Sequence, residues 1–229
     1  LVDVGRILTQ GGAALRGVLC HAGGSYGAVG VVAHAKCAEQ ERLAVVNAAE
    51  ALRGAGLQCP VVSVGSTPTA HAAQDLTGVT EMRAGVYVFF DLVMAGIEVC
   101  CIDDIALSVL TTVIGHQSTR GWIICDAGWM AMSRDRGTAA QDVDQGYGIV
   151  CDSAGVPIPG LIMVQANQEH GVIARRPDFK GAVPAIPVGT QLRILPNHAC
   201  ATAAQHSGYH VIPEKPEATL MNWPRFGGW

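Results

Sequence analysis

The amino-acid sequence predicts an α/β unit over residues 1–104, followed by an antiparallel β-rich domain over residues 105–229. Short apolar runs alternate with helical patterns through the first hundred residues, an order typical of parallel strands joined by right-handed crossovers. From Ile105 onward the pattern changes to short β-type runs separated by Gly, Pro, Asn and Asp, without a helical pattern between them. Strands joined by turns alone are typical of antiparallel sheets.

The first unit contains one long helical pattern between shorter elements. Residues 33–53 form this pattern, which Gly54 ends, and the side chains that recur at helical spacing are Ala38, Arg42, Val45, Ala49 and Leu52. Thr67 followed by Pro68 predicts a helix with Thr67 as its N-cap, running to about Leu76. The other predicted elements are strands: LVDV at 1–4, LRGVLC at 15–20, PVVSVG at 60–65, and a third parallel strand with its exit loop in VTEMRAGVYVFFD at 79–91.

Composition excludes two classes of partner. The 229 residues have a formal net charge of -4, and the basic residues are scattered, so the basic stripe that nucleic-acid binding needs is missing. No window of about 18 residues is continuously apolar, and the N-terminus lacks the layout of a signal peptide, so we expect a soluble, cytoplasmic protein that does not contact a membrane. Eight cysteines occur without a CxxC pair, which indicates reduced thiols.

Three predicted strands end in the segments HAGGSY, GSTPT and RAGVY. Functional groups gather at the carboxyl ends of parallel strands, so we expect these segments at one edge of the sheet. Backbone amides and hydroxyls of GSTPT could hold a phosphate, or Thr67 could simply cap its helix. Gly85 would let a ligand approach the backbone, and His21 or Tyr26 could lie against a flat ring. For His21 the alternative is an ordinary core histidine.

The segment PNHAC places His198 and Cys200 two positions apart, directly after the apolar run QLRIL. On extended backbone, side chains at this spacing point to the same side, so both could reach one metal ion. Imidazole and thiolate suit zinc or another borderline metal, and two protein ligands would leave positions open for water or substrate. The alternative is an unrelated buried pair.

Seven segments in order resemble the D-serine dehydratase-like branch of the alanine racemase fold family, whose members use pyridoxal 5'-phosphate (PLP). They are LRGVLCHAGGSYG, VVSVGSTPT, GVTEMRAGVYVFFDL, WIICDAGWMAMSRDRG, NQEHG, LRILPNHACATA and WPRFGGW. The resemblance implies the C-terminal part of a PLP-binding α/β TIM barrel, followed by a β-domain that helps close the site in a homodimer. It also implies that further barrel strands precede Leu1 in a longer enzyme, or that the chain is a truncated, non-catalytic remnant.

The resemblance also implies a role for individual residues. The family's metal pair, which binds a divalent ion such as zinc, matches His198 and Cys200. The residues implied around the cofactor are His21, stacked on the pyridine ring; Ser66, Thr67, Gly85 and Val86, around the phosphate; and Tyr26 and Arg83, near the ring or substrate.

The implied activity is that of a PLP- and metal-dependent lyase, which converts a β-hydroxy D-amino acid such as D-serine or D-threo-3-hydroxyaspartate to a keto acid and ammonia. The alternative on the same scaffold is a D-threonine aldolase, which releases glycine and an aldehyde. The lysine that carries the cofactor in the family matches none of Lys36, Lys180 and Lys215. We therefore assign the catalytic lysine to no residue of this chain.

Overall fold

Helices and strands are described in the computed structural model for residues 1–213 and 219–227; Lys215 lies outside these ranges. The helices are α1 (Val2–Gln10), α2 (Val31–Gly54), α3 (Thr67–Ala72), α4 (Leu92–Gly96), α5 (Trp129–Met132) and α6 (Ala199–Ala203). The strands are β1 (Gly17–Leu19), β2 (Val61–Val64), β3 (Glu81–Met82), β4 (Val109–Gln117), β5 (Trp122–Cys125), β6 (Gly148–Cys151), β7 (Pro157–Ala166), β8 (Gly171–Arg175), β9 (Gln191–Pro196), β10 (Gly208–Val211) and β11 (Met221–Pro224). Short 3-10 helices cover Gly23–Gly27, Val86–Val88, Ile102–Asp104 and Ser118–Arg120.

The chain forms two compact units, the first of which comprises Leu1–Val88 and Met94–Cys101. Its sheet has the order β1-β2-β3, and both pairings are parallel, as the alternating pattern predicts. Helix α2 crosses between β1 and β2 and buries a stripe at helical spacing against the sheet. The buried members of that stripe are His34, Ala38, Glu41, Val45, Ala49 and Leu52. The stripe therefore includes Glu41 in place of the predicted Arg42.

Three predicted elements of this unit are wrong in type or extent. LVDV belongs to helix α1, because Gly5 packs against Leu52 and Leu57 and a four-residue apolar run does not distinguish helix from strand. Helix α3 ends at Ala72, and its N-cap is Ser66. The predicted third strand is reduced to the two residues of β3, after which the chain turns into a 3-10 helix.

The second unit comprises Phe89–Val93 and Ile102–Trp229, and its described part is built around a closed antiparallel barrel. The barrel order is β4-β5-β8-β7-β6-β9, with a register irregularity between Val113 and Gly115 where β4 bends. Alternate side chains of β4 are buried, as expected for strands with one face in the barrel core. Strands β10 and β11 form a separate antiparallel pair.

Residues 89–93 and 102–104 belong to the β-rich unit, so the structural division differs from a single boundary after residue 104. Backbone hydrogen bonds account for part of this placement: the Val93 N–H donates to the Asn197 carbonyl at 3.2 Å, and the Ala106 N–H donates to the Phe89 carbonyl at 2.7 Å. Within the described ranges, no helix combines the length and the apolar character needed to cross a bilayer.

Candidate functional site

The carboxyl ends of β1, β2 and β3 meet at one edge of the parallel sheet in the first unit. His21 follows β1, and its Nδ1 donates a hydrogen bond to the Gly65 carbonyl, after β2, at 2.7 Å. Because a carbonyl can only accept, this bond fixes the proton on Nδ1 and leaves Nε2 of a neutral ring as an acceptor. The His21 and Tyr26 rings lie with centroids 5.9 Å apart at 36°. The three predicted segments are thus brought to the same edge.

The turn after β2 requires glycine at position 65. A Cβ atom there would lie 2.2 Å from the carbonyl oxygen of Arg83, which follows the neighbouring strand β3. The Arg83 N–H in turn donates to the Val64 carbonyl at 2.8 Å, so the two chains are held together at this point. A side chain at position 65 would force the ends of β2 and β3 apart.

Buried hydroxyls line the same turn. Ser66 and Thr67 are each 3% exposed, and Thr69 is 2% exposed. The Ser66 hydroxyl lies 3.1 Å from the Ser25 hydroxyl and 2.9 Å from the Thr69 hydroxyl. The carboxylate of Glu41, on α2, accepts from the Thr69 hydroxyl at 2.6 Å and from the Gly65 N–H at 3.0 Å.

Arg83 is held by groups of the sheet. Its guanidinium donates to the Ser63 hydroxyl and, at 2.6 Å, to the Cys20 carbonyl. These two hydrogen bonds hold the ends of β1 and β2 together. The charge of Arg83 also affects the neighbouring Cys20 thiol: burial raises the pKa of this thiol, Glu41 raises it further, and Arg83 opposes the shift.

Gly85 and Val86 follow β3 on the same side. Gly85 is exposed, and a Cβ atom there would meet no heavy atom within 4 Å; Val86, half-buried, begins a 3-10 helix. The backbone at Gly85 is therefore open to a ligand.

The histidine–cysteine pair lies in the second unit, where α6 begins. His198 is the N-cap of α6, with extended backbone (φ -136°, ψ 103°), whereas Cys200 lies within the first turn of the helix and is exposed. The expectation that both residues share one extended segment is therefore wrong. Hydrogen bonding to the Cys200 side chain is the largest cause that raises the pKa of His198 to about 9. Burial opposes this shift, and the Asp135 carboxylate adds to it.

Asp135 orients the imidazole of His198. The Nδ1 atom donates to Oδ2 of Asp135 at 2.6 Å, and both side chains are partly exposed. A carboxylate on one ring nitrogen is the usual arrangement around a metal-binding histidine, because it directs the other nitrogen toward the ion. Within the described ranges no group of three or more His, Cys, Asp and Glu side chains could hold a metal ion. An imidazole and a thiol are donors that suit zinc or another borderline metal, and two protein donors would leave its other positions to water or substrate.

Buried polar side chains fix the backbone around this pair. Asn197 is 2% exposed; its Nδ2 donates to the Gly146 carbonyl at 2.6 Å, and its Oδ1 accepts from the Thr138 hydroxyl at 2.9 Å. The Ala199 N–H, at the start of α6, donates to the Asp91 carboxylate at 2.9 Å.

Sequence reasoning missed Glu41, Asp91, Asp135 and Asn197. Only Glu41 had a local signal, since it falls at helical spacing on the buried face of α2.

Comparisons with known proteins match both units. The family described as "Putative serine dehydratase domain" matches residues 106–212. The D-threo-3-hydroxyaspartate dehydratase of Delftia sp. (strain HT23) is 58% identical over 231 residues, which cover 100% of this chain and 60% of the relative. The chain belongs to the D-serine dehydratase-like family. A second relative, the D-serine dehydratase of Dictyostelium discoideum, is 31% identical over 86% of this chain and 50% of the relative. The chain thus spans only about half to three fifths of the length of these two curated relatives.

Solved structures give the fold of this D-serine dehydratase-like chain. The Delftia enzyme superposes with a TM-score of 0.89, over 100% of this chain and 60% of that one. An ala racemase-like protein from Idiomarina loihiensis superposes with a TM-score of 0.86 at 48% identity, over 93% and 56% of the two chains. These matches confirm the predicted fold class, an alanine racemase-like α/β part followed by a β-rich domain. A D-threo-3-hydroxyaspartate dehydratase has also been solved as a cysteine-to-alanine mutant in a metal-free form and as a histidine-to-alanine mutant, with substitutions at positions two residues apart.

Gly65→Ala tests the close approach of β2 and β3. The added methyl group would overlap the Arg83 carbonyl, so we expect the free energy of unfolding to fall by about 1–3 kcal/mol, as for other overpacked sites. Gly85→Ala, at the same edge but with open space, is the matched control and should unfold like the wild type in a urea titration. Equal stability of the two variants would contradict the described packing.

Proposed function

We propose that the protein carrying this chain is a PLP- and metal-dependent lyase that converts a β-hydroxy D-amino acid to a keto acid and ammonia. The observation that most supports this is the 58% identity to a D-threo-3-hydroxyaspartate dehydratase across the whole chain. A β-hydroxy D-amino acid with a β-carboxylate is therefore the first substrate to test, and D-serine is the second. A homodimer and a cytoplasmic location remain predictions.

Residues of the first unit would bind the cofactor. His21 is fixed in one tautomer by the Gly65 carbonyl, so it offers the pyridine ring a pre-oriented face, with Tyr26 beside it. The cofactor phosphate would lie against Ser66 and Thr67. Gly85 and Val86 would complete the phosphate surroundings, since the backbone there is free of steric obstruction. Arg83 would act by holding the strand ends in place, because its guanidinium is already bonded to Ser63 and Cys20.

Residues of the second unit would bind the metal, for which zinc is the best candidate. His198 would use Nε2 and Cys200 its sulfur, the combination that zinc prefers among soft and borderline ligands. Asp135 would retain the Nδ1 proton of His198 and so keep Nε2 directed at the ion. The matching spacing of the two residues substituted in the D-threo-3-hydroxyaspartate dehydratase mutants supports the same pair.

The bound groups would supply the chemistry that side chains lack: the cofactor an electron sink, and the metal a Lewis acid that favours departure of the β-hydroxyl. The chain's own contribution is binding and orientation. We assign no residue of this chain as the base that removes the α-proton.

Product analysis tests the proposed reaction. The purified protein that carries this chain, supplied with PLP and zinc, should release ammonia and oxaloacetate from D-threo-3-hydroxyaspartate, or ammonia and pyruvate from D-serine. Glycine and an aldehyde from D-threonine would instead establish the aldolase reaction. Absence of turnover with every one of these substrates would support a non-catalytic role.

Alkylation of Cys200 tests the metal site without a turnover assay. Cys200 and Cys101 are both exposed, so iodoacetamide should modify both in the folded protein. Zinc should protect Cys200, because its sulfur would be a ligand, and should leave Cys101 reactive as the matched control. Peptide mass mapping gives the extent of modification at each residue. Equal modification of Cys200 with and without zinc would exclude it as a ligand.

Asp135→Asn tests how the histidine is oriented. An amide oxygen still accepts from Nδ1 but without a charge, so we expect zinc affinity to fall by about 10–100-fold. Competition with a chromogenic chelator at constant pH measures this affinity. Asp142→Asn, an exposed change in the same loop, is the control and should bind zinc like the wild type. Unchanged affinity in Asp135→Asn would show that this carboxylate does not support the metal.

A further inference from the structure

Glu41 lies on the buried face of α2 and is only 5% exposed. Most of the other buried residues of this helix are apolar. Burying a carboxylate is costly unless hydrogen bonds replace its water. Here the Gly65 N–H donates to Oε1 and the Thr69 hydroxyl donates to Oε2. The two oxygens thus reach both ends of the Gly65–Thr69 turn, with Ser66 and Thr67 between them.

Glu41 also sets the direction of the neighbouring hydroxyl protons. The Thr69 hydroxyl has two groups in reach that only accept, Oε2 of Glu41 at 2.6 Å and the Ser66 carbonyl at 3.2 Å, and its single proton points to the nearer, charged one. Ser66 must then donate to Thr69 at 2.9 Å, and Ser25 must donate to Ser66 at 3.1 Å. The three hydroxyls form one chain that ends on Glu41. Such chains are cooperative, so the acceptor at the end influences every member.

We propose that Glu41 is a positioning residue for the cofactor phosphate. It fixes both ends of the turn whose middle residues, Ser66 and Thr67, would surround the phosphate, and it orders the hydroxyl chain behind them. This inference rests on the proposed function, which places the phosphate at that turn. Glu41 itself need not touch the cofactor.

Two substitutions separate positioning from charge. Glu41→Ala removes both hydrogen bonds, so we expect PLP affinity to fall about 10-fold or more, as for the loss of two buried bonds. Glu41→Gln keeps both contacts: its amide oxygen can accept from the Gly65 N–H, and its amide nitrogen can donate to the Thr69 hydroxyl, whose own proton can turn to the Ser66 carbonyl at 3.2 Å, so that Ser66 still donates to Thr69. We expect affinity within about threefold of the wild type. If Glu41 acted by its negative charge alone, both substitutions would raise PLP affinity alike, which would overturn the proposal.

Pyridoxal, which lacks the phosphate, is the matched probe. Equilibrium dialysis of the purified protein with PLP and with pyridoxal gives both affinities, and Glu50→Ala, an exposed change on the same helix, is the control variant. Positioning of the phosphate turn predicts that Glu41→Ala weakens PLP binding and leaves pyridoxal binding unchanged.

The remaining outcomes contradict the inference in distinguishable ways. Equal loss of both ligands in Glu41→Ala would indicate general destabilisation, and no loss of either would show that the turn does not need Glu41. A wild-type protein that binds PLP no better than pyridoxal would reject the phosphate site itself, and the inference with it. Product analysis would still test the lyase reaction separately.

Discussion

A polar group removed from water must find a hydrogen-bond partner, and this constraint organises both candidate sites. In the first unit, Glu41 satisfies a backbone amide and a hydroxyl of the turn after β2. In the second unit, Asp91 accepts a hydrogen bond from the first amide of α6, and Asn197 bonds two groups, Thr138 and Gly146, on the loop that precedes β6. Buried hydrogen bonds thus hold in place the segments that carry the exposed residues His21 and Cys200.

The fold was largely predictable because periodicity reports burial directly. The pattern that predicts a helix at 33–53 corresponds to α2, whose buried stripe packs on the parallel sheet, and the change at Ile105 corresponds to the antiparallel barrel. Predictions of secondary structure failed in short segments, where only a few residues carry the pattern. LVDV has the composition of a strand, but tertiary contacts of Gly5 place it in a helix, and the third parallel strand is reduced to two residues by the turn into a 3-10 helix.

The site was predictable only in its outer residues. Histidine, cysteine, glycine and hydroxyl residues stand out in short segments such as HAGGSY and PNHAC, so a linear reading finds them. Their supporting acids do not stand in those segments: Glu41 lies 24 residues from Gly65, Asp135 lies 63 residues from His198, and Asp91 lies 108 residues from Ala199. No local pattern links such pairs, since only the fold brings them together. The backbone of the His198–Cys200 pair was wrongly predicted as one extended segment, because α6 begins between the two residues.

The two sites use a carboxylate under different conditions, and this difference bears on what each could bind. Glu41 is almost wholly buried and accepts from neutral donors, so it fixes geometry. Asp135 is about one third exposed and accepts from an imidazole whose pKa is raised to about 9. An ion that binds His198 must therefore displace a proton from a basic ring, while the same carboxylate makes that ring a stronger ligand. Metal affinity at this pair would therefore be a balance between proton and ion.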